Sequence, residues 1–158
     1  MKKQKGFSLI ELLIVVAIIL IIAAIAIPNL LRSRMAANEA SAVGSLRTIN
    51  TAEVTYSTTY TSIGFAALGA LGGAAPCTTA TSAGACLLDD VLSNTKVKSG
   101  YNFAVANLTG SPVVVTYSAT AVPTVVGQSG QRGFFTDQSG VIRYTLDGTA
   151  PTNASPAL

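Results

Sequence analysis

The sequence predicts an α+β protein in which one long N-terminal helix packs on a roughly four-stranded antiparallel sheet. An uninterrupted apolar run opens the chain, since every residue from Leu12 to Ile27 is Leu, Ile, Val or Ala. Apolar residues then recur at helical spacing as far as about Tyr60. Alternating and β-branched stretches, which are typical of strands, follow over residues 101–146. The helix is therefore expected first and the sheet second.

Composition limits both the size and the chemistry of the protein. A chain of 158 residues has room for one membrane segment and one globular domain. Lys2, Lys3 and Lys5 supply the whole net charge of +3. The neutral remainder gives little support for a nucleic-acid partner, which stays open. The chain has no His and no nucleophile motif, so we expect no enzyme activity, no catalytic residues, no metal and no cofactor.

The apolar run predicts a retained transmembrane helix over residues 7–30. About 20 residues at a rise of 1.5 Å span about 30 Å of hydrocarbon. The run is too long for the apolar stretch of a secretory signal, and no Ala-x-Ala signal bounded by polar residues closes it. The three lysines at the start place the N-terminus in the cytoplasm and the globular part outside. Arg32 and Arg34, which follow the run, are outweighed by those lysines.

Two residues of this segment depart from a plain membrane anchor. Glu11 is its only charge, and an acid at mid-bilayer costs about 2.5 to 3.5 kcal/mol. Glu11 therefore either lies at a wet helix end or pairs with a positive group. Pro28 removes a backbone hydrogen bond inside a helix and costs roughly 3 kcal/mol there. It either ends the helix at the membrane surface, which its position alone favours, or lies inside a longer helix. For Glu11, position alone leaves the question open.

Residues 31–60 form the predicted amphipathic half of the helix. The Thr-rich stretch from Thr55 to Ser62 is poor helix material and is expected to end it. Tyr56 and Tyr60 are expected to pack in the core or on the helix surface and not to form an electron path. Asn38, Glu39, Ser45 and Arg47 are expected mostly elsewhere around the helix. The residues at helical spacing that should face the domain are Met35, Ala42, Leu46, Ile49, Tyr56 and Tyr60.

Residues 61–100 are expected to connect the helix to the sheet. Cys77 and Cys86 lie there in a loop without a further Cys or His to complete a zinc site. We therefore expect a disulfide, whose loop of about ten residues makes it worth about 3 kcal/mol. The stretch from Cys86 to Ser93 could form one short helix. Its inward residues would be Leu87, Leu88, Val91 and Leu92.

Residues 101–146 are predicted to form the sheet and residues 147–158 a surface tail. A turn is expected at residues 138–140. The four predicted strands are Tyr101–Leu108, Val113–Val122, Gly133–Asp137 and Val141–Leu146.

The stretch "KGFSLIELLIVVAIILIIAAIAIPNLLRSR", residues 5–34, closely resembles the start of type IV pilins and the related pseudopilins. The shared features are a basic leader that ends at Gly6, then Phe7, the acid Glu11 four residues beyond it, and Pro28. The resemblance implies the pilin fold. It also implies that a prepilin peptidase removes residues 1–6 by cutting between Gly6 and Phe7, and that the new amino group of Phe7 is methylated.

The resemblance also implies roles for the two unusual residues of the helix. Glu11 would pair with the amino-terminal charge of Phe7 on a neighbouring subunit. The helix would continue through Pro28 and bend or melt locally there. In many pilins the disulfide lies near the C-terminus, whereas here the cysteines precede the sheet. The fragment "GFFTDQSGVIRYTLDG", residues 133–148, resembles the closing hairpin of many pilin-like chains.

By this resemblance, the protein is the structural subunit of a type IV pilus, a helical homopolymer that serves adhesion, motility or DNA uptake. It would start as a single-pass precursor in the bacterial inner membrane, in contact with lipid, and end in an extracellular pilus. Its other partners would be the prepilin peptidase and methylase, the assembly platform and minor pilins. The alternatives are a major pseudopilin of a type II secretion system and a minor pilin that acts as a binding module. The disulfide pair and the Ser/Thr/Gly-rich loop favour a surface pilus.

The resemblance also raises the question of calcium, which some pseudopilins bind near the C-terminal end of the chain. Asp90, Asp137 and Asp147 are the acids that suggest it. They lack the Asp-x-Asp-x-Asp spacing of a calcium loop. We therefore expect them to form turns.

Overall fold

The computed structural model describes residues 7–74 and 76–158. The predicted leader, residues 1–6 with Gly6, lies outside these described residues. The chain divides into two compact units at Arg34 and Met35. The described part of the first unit is residues 7–34, and the second unit begins at Met35.

One helix, α1, runs over Leu9–Thr59 with Pro28 inside it. The predicted long helix is therefore confirmed to within two residues at its start and one at its end. The alternative in which the helix ends at Pro28 is wrong. Proline has no N–H to donate, so one hydrogen bond is missing where α1 passes Pro28. The Thr-rich stretch that was expected to end α1 begins at Thr55, and the helix ends within it, at Thr59.

The second unit contains a five-stranded antiparallel sheet in which each strand pairs with the next along the chain. This confirms an α+β fold with a long N-terminal helix and an antiparallel sheet. The four predicted strands correspond to β2–β5, and β1 is an additional edge strand of two residues. The strands are β1 (Val97–Lys98), β2 (Tyr101–Thr109), β3 (Thr116–Pro123), β4 (Gly133–Asp137) and β5 (Arg143–Thr145).

The C-terminal half of α1 and one face of the sheet share a single core. Alternate residues of β2 and β3 point toward it, because side chains in a strand alternate between faces. Of the six predicted inward residues of α1, four are buried, whereas Met35 and Tyr60 are only half-buried. The largest fully buried apolar side chains of the core are Leu46, Ile49, Tyr56, Leu71, Leu92, Tyr101 and Phe134.

The third strand begins later than predicted. Val113 to Val115 were expected in it, but β3 starts at Thr116. Val114 instead pairs with the loop that follows α1: its N–H donates to the Ile63 carbonyl over 2.8 Å, and its carbonyl accepts the Phe65 N–H at 3.0 Å. Val114 therefore satisfies its backbone outside the sheet, whereas the Val115 N–H still donates to the Thr109 carbonyl of β2 over 2.9 Å. Strand propensity yields here to tertiary context.

The connection between α1 and the sheet also differs from the prediction. A short helix, α2, covers Leu68–Gly72, and a π-helical turn covers Val91–Thr95 in place of a helix over Cys86–Ser93. Cys86 has a φ of 56°, a left-handed conformation that does not continue a right-handed helix. Leu88 and Leu92 are buried as predicted, and Leu87 is half-buried. Val91 is exposed, so its predicted inward orientation is wrong.

The C-terminal segment, residues 147–158, is largely exposed but is tied to the sheet. Its last residues run along the free edge of β5. The Leu158 N–H donates to the Ile142 carbonyl over 2.9 Å, and the Tyr144 N–H donates to the Pro156 carbonyl over 3.0 Å. Pro151 is buried. The free edge of a strand has unpaired backbone groups that can bind other chains. The segment covers part of that edge of β5, whereas the sequence predicted only a surface tail.

Candidate assembly segment and polar anchors

The apolar segment, defined here as residues 9–31 of α1, exposes large hydrophobic side chains all around the helix. Leu9, Ile25 and Leu30 expose 76%, 70% and 71% of their surface. An 18-residue window of α1 has a mean hydropathy of 3.3, and none of that window is buried. Among the described residues, α1 is the one helix long and apolar enough to cross a membrane. Exposed apolar surface is unfavourable in water by about 25 cal/mol per Å², so lipid or other chains must cover this segment.

Glu11 lies in the first turn of α1 and is exposed. The helix begins at Leu9, and the Leu12 N–H already donates to the Ser8 carbonyl over 3.3 Å. A carboxylate in the first turn is stabilised by the positive end of the helix dipole by about 0.3 to 1 kcal/mol. This position suits the acid within one chain. Pairing with a Phe7 amino group would join two chains and stays a prediction, as do the cleavage and methylation at Phe7.

Pro28 and the arginines after it lie in the last part of the first unit. All three side chains are exposed, and the helix continues through them. A bend or local melting at Pro28 stays a prediction. Arg32 and Arg34 directly follow the apolar segment, at the point where a membrane-spanning helix would meet lipid headgroups.

Glu39 fastens α1 to the connection between β3 and β4. Its Oε1 accepts the N–H groups of Gln131 and Arg132 at 2.9 and 3.1 Å, and its Oε2 accepts the Arg132 Nε–H at 2.8 Å. Asn38 Nδ2 donates to the Ser129 carbonyl over 2.8 Å. Burial works to raise the pKa of Glu39, but the bonds from Gln131 and Arg132 outweigh it and hold that pKa below its ordinary value. The expectation that Glu39 lies away from the domain is wrong.

Glu53 is completely buried and has no ionic partner among the described residues. Its Oε2 accepts the Ala66 N–H at 3.0 Å, whereas its Oε1 has no hydrogen-bond partner among them. Burial raises the pKa of Glu53 to about 7, against a lowering by the Ala66 hydrogen bond. Sequence reasoning did not single out Glu53. Its spacing of four residues from Ile49 and three from Tyr56 was the available signal, since both neighbours are buried.

A neutral polar contact joins α1 to the middle of the sheet. Asn50 Nδ2 donates to Thr136 Oγ1 over 2.9 Å, and the Tyr117 hydroxyl donates to Asn50 Oδ1 over 2.8 Å. Thr136 is fully buried in β4. Since buried polar groups require partners, these bonds fix α1 against β3 and β4.

The predicted disulfide between Cys77 and Cys86 is confirmed. The Tyr56 hydroxyl of α1 donates to the Ser82 carbonyl inside the disulfide loop over 2.6 Å. The Cys86 N–H donates to the Gly72 carbonyl at the end of α2 over 2.7 Å. The Tyr56 and Tyr60 rings lie 4.7 Å apart, so Tyr56 packs against Tyr60 and anchors the loop.

The three aspartates that suggested calcium accept local hydrogen bonds. Asp137 accepts the N–H of Ser139 at 2.9 Å, and Asp147 accepts the N–H of Thr149 at 3.1 Å. Both are contacts two residues along the chain, as in the turns that Asp forms. Asp90 accepts the Asn94 side-chain amide at 2.6 Å. Within residues 7–74 and 76–158, no group of three or more His, Cys, Asp or Glu is placed to hold a metal ion.

Comparison with known proteins supports the assignment of the N-terminal segment. A family model described as the prokaryotic N-terminal methylation motif matches residues 1–27. The chain is 64% identical over 39 residues to the type IV wide pilus major component PilA4 of Thermus thermophilus, which covers 25% of this chain and 30% of that protein. It is 44% identical over 54 residues to the type IV major pilin protein PilA of Myxococcus xanthus, which covers 34% of this chain and 24% of that protein. No solved structure matches.

The chain therefore combines an apolar N-terminal helix, an antiparallel sheet and a match to the N-terminal methylation motif. Both relatives are major subunits of type IV pili by their names, which supports a type IV pilin. The matches span less than a third of either relative. The family model matches residues 1–27, which include most of the apolar segment, and it does not extend to the disulfide loop or the sheet.

Proposed function

We propose that this chain is the structural subunit of a type IV pilus, assembled through its apolar segment. The observation that carries the proposal is a methylation motif on a helix segment whose described residues are all unburied within the chain. A structural filament subunit needs no catalytic site, and the polar contacts of the second unit serve to hold α1, the loops and the sheet together. The filament itself is the functional object.

Processing comes first in the proposed sequence of events. The precursor spans the inner membrane once, with residues 1–6 in the cytoplasm, where a prepilin peptidase cuts after Gly6. Methylation of the Phe7 amino group follows. The match of the methylation motif to residues 1–27 supports this step. Cleavage leaves the apolar segment in the mature chain, because α1 begins at Leu9.

Assembly then moves the apolar segment from lipid into a bundle of like segments. Neighbouring helices replace the lipid, so little of the segment's apolar surface returns to water. An interface between two different surfaces of identical chains does not close on itself and generates an open helical filament. The assembly platform and minor pilins are the expected partners in this step.

Glu11 would set the height at which each subunit enters the bundle. An unpaired carboxylate among packed apolar helices is costly, whereas a pair with the Phe7 amino group of a neighbour removes much of that cost. A subunit in the wrong register would leave the charge unpaired, so the pair selects one arrangement against others. The mature filament would lie outside the cell and serve adhesion, motility or DNA uptake.

Replacement of Glu11 tests this proposal. Glu11→Ala should insert into the membrane at the wild-type level but yield no filaments in sheared cell-surface material, seen by electron microscopy. Asp90→Asn is the matched control, because it also removes one negative charge, from an exposed side chain of the second unit. The control should form filaments normally. Normal filaments from Glu11→Ala would refute the pairing.

Mass spectrometry of the sheared material separates the pilus from its alternatives. A pilus subunit should be abundant there and start at methylated Phe7. A chain confined to the cell envelope would instead indicate a pseudopilin of a type II secretion system. A chain present only in trace amounts relative to the filament would indicate a minor pilin.

A further inference from the structure

Glu53 is a buried acid that filament assembly does not use. Its side chain has no exposed surface, and it lies on α1 in the second unit. Its Oε2 accepts the Ala66 N–H at 3.0 Å, and its Oε1 has no hydrogen-bond partner among the described residues. A carboxylate has about four acceptor sites, so a single N–H leaves an ionised Glu53 largely unsatisfied.

The groups that face Glu53 do not neutralise a negative charge. The titratable neighbours are Tyr56 on α1, with Tyr60 behind it, and Tyr117 on β3. Burial is the main cause that raises the pKa values of Tyr56 and Tyr117, so both hydroxyls stay neutral near pH 7. Residues 61–67 contain no acidic or basic side chain. The two salt bridges among the described residues, Lys98–Asp89 and Arg132–Glu39, do not include Glu53.

The hydrogen bond from Ala66 fixes a loop that links three parts of the second unit. This α1–α2 loop, residues 60–67, also pairs with Val114 through the backbone of Ile63 and Phe65. The Phe65 ring lies 4.7 Å from the Tyr117 ring of β3. Glu53 therefore holds the loop from the α1 side, while Val114 and Tyr117 hold it from the side of the sheet.

We propose that Glu53 is a proton-dependent latch, which holds the α1–α2 loop while it is protonated and releases it when the proton leaves to solvent. An ionised carboxylate in this site needs water at Oε1. Water can reach Oε1 only if the loop or the side chain moves, and either movement breaks the bond from Ala66. The latch is built from residues of the second unit and is independent of the proposed assembly through Glu11.

The direction of the pH effect follows from the titration of Glu53. Burial raises its pKa to about 7 from an ordinary value of 4.5. The closed loop therefore binds the proton more tightly than the open loop does. The closed loop is most stable below pH 4.5, the ordinary pKa of the carboxyl. Its stability falls as the pH rises and levels off above about pH 7, where Glu53 is ionised in the closed loop as well. Between pH 6 and 8, this linkage raises the open fraction about tenfold.

Hydrogen exchange of the Ala66 amide measures the latch directly. The full chain in detergent micelles would be followed by NMR from pH 6 to 8, and each rate would be divided by the intrinsic rate at that pH. The protection factor of Ala66 should fall about tenfold in the wild type. It should stay constant in Glu53→Gln, whose amide oxygen still accepts the Ala66 N–H but does not titrate. Glu39→Gln, on the same helix, should retain the tenfold fall.

Two results would overturn the latch. One is a constant protection factor in the wild type from pH 6 to 8, and the other is an equal fall in the wild type and in Glu53→Gln. If Glu53→Gln fails to fold, carbon-13 NMR of the Glu53 carboxyl in the wild type decides instead. A midpoint near 7, shared with chemical-shift changes in residues 60–67, would support the latch. A midpoint near the ordinary value of 4.5 would contradict it.

Discussion

Two segments of α1 differ in whether the chain itself buries their hydrophobic side chains. The apolar segment, residues 9–31, contains no buried residue, although nearly all of its side chains are hydrophobic. The later segment, residues 39–56, buries one face that includes Ala42, Leu46 and Ile49. The chain therefore supplies the covering for the second segment itself. The covering for the first must come from lipid or from other copies of the chain.

The three glutamates of α1 differ between the two segments in the same way. Glu39 and Glu53 are buried and hold loops of their own chain through hydrogen bonds. Glu11 is exposed in the first turn, in a segment that contains no buried residue. An acid in a segment that other molecules cover is a means of choosing between arrangements of those molecules.

The largest stability difference should appear when one apolar side chain is truncated in each segment. Leu46→Ala leaves a cavity in the core and should lower the free energy of unfolding by about 2 to 5 kcal/mol. Ile19→Ala removes side-chain atoms that the chain does not bury, so it should change that free energy by less than about 0.5 kcal/mol. Urea unfolding of the full chain in mild detergent, followed by tyrosine fluorescence, measures both. Equal losses of unfolding free energy would mean that the chain buries the apolar segment as fully as residues 39–56.

Loss of the disulfide should have the next largest effect. Cys77→Ser with Cys86→Ser removes a cross-link that closes a loop of about ten residues, which is worth about 3 kcal/mol. The covering of the apolar segment does not depend on this loop. We therefore expect filaments from the double variant wherever it folds, with a lower urea midpoint than the wild type. Complete loss of filaments from a folded double variant would show that the loop contributes to assembly.

Removal of Glu39 should have the smallest of these effects. Glu39→Ala leaves the Gln131 and Arg132 N–H groups without their acceptor and should cost about 1 to 3 kcal/mol. The pKa of Glu39 is held below its ordinary value, so its contribution is present above that value and is lost as the pH falls. The stability difference between the wild type and Glu39→Ala should therefore shrink from pH 6 to pH 3. A difference that is independent of pH would contradict the role of the Glu39 charge.

The sequence was sufficient for the parts of the fold that depend on local pattern. The two ends of α1, the strands β2, β4 and β5, and the pairing of Cys77 with Cys86 follow from apolar spacing, turn residues and a cysteine count. The continuation of α1 through Pro28 was implied only by the resemblance to type IV pilins. The late start of β3 was missed because Val114 pairs with the loop after α1, a partner that no local pattern identifies.

The polar anchors were missed for a related reason. Glu39 bonds to a residue 92 positions further along the chain, so nothing near it in sequence indicates a partner. Glu53 was overlooked because charged side chains are expected on the exposed face of a helix. Both glutamates nevertheless occur three residues before a buried residue of α1, Ala42 or Tyr56. An acid three residues from a core position therefore lies on the buried side of the helix and indicates a buried contact. The residues around Glu11 are apolar on every side of the helix, so their pattern does not indicate the environment of Glu11.

The central claim is that the apolar segment is covered by the same segment of neighbouring copies in a filament. Electron cryomicroscopy of sheared filaments, at a resolution that shows side chains, tests this most directly. We predict that residues 9–31 of adjacent copies pack together on the filament axis, with Glu11 within about 4 Å of the Phe7 amino nitrogen of a neighbour. A filament in which these segments are separated, or in which Glu11 lies against apolar side chains without a positive partner, would contradict the account.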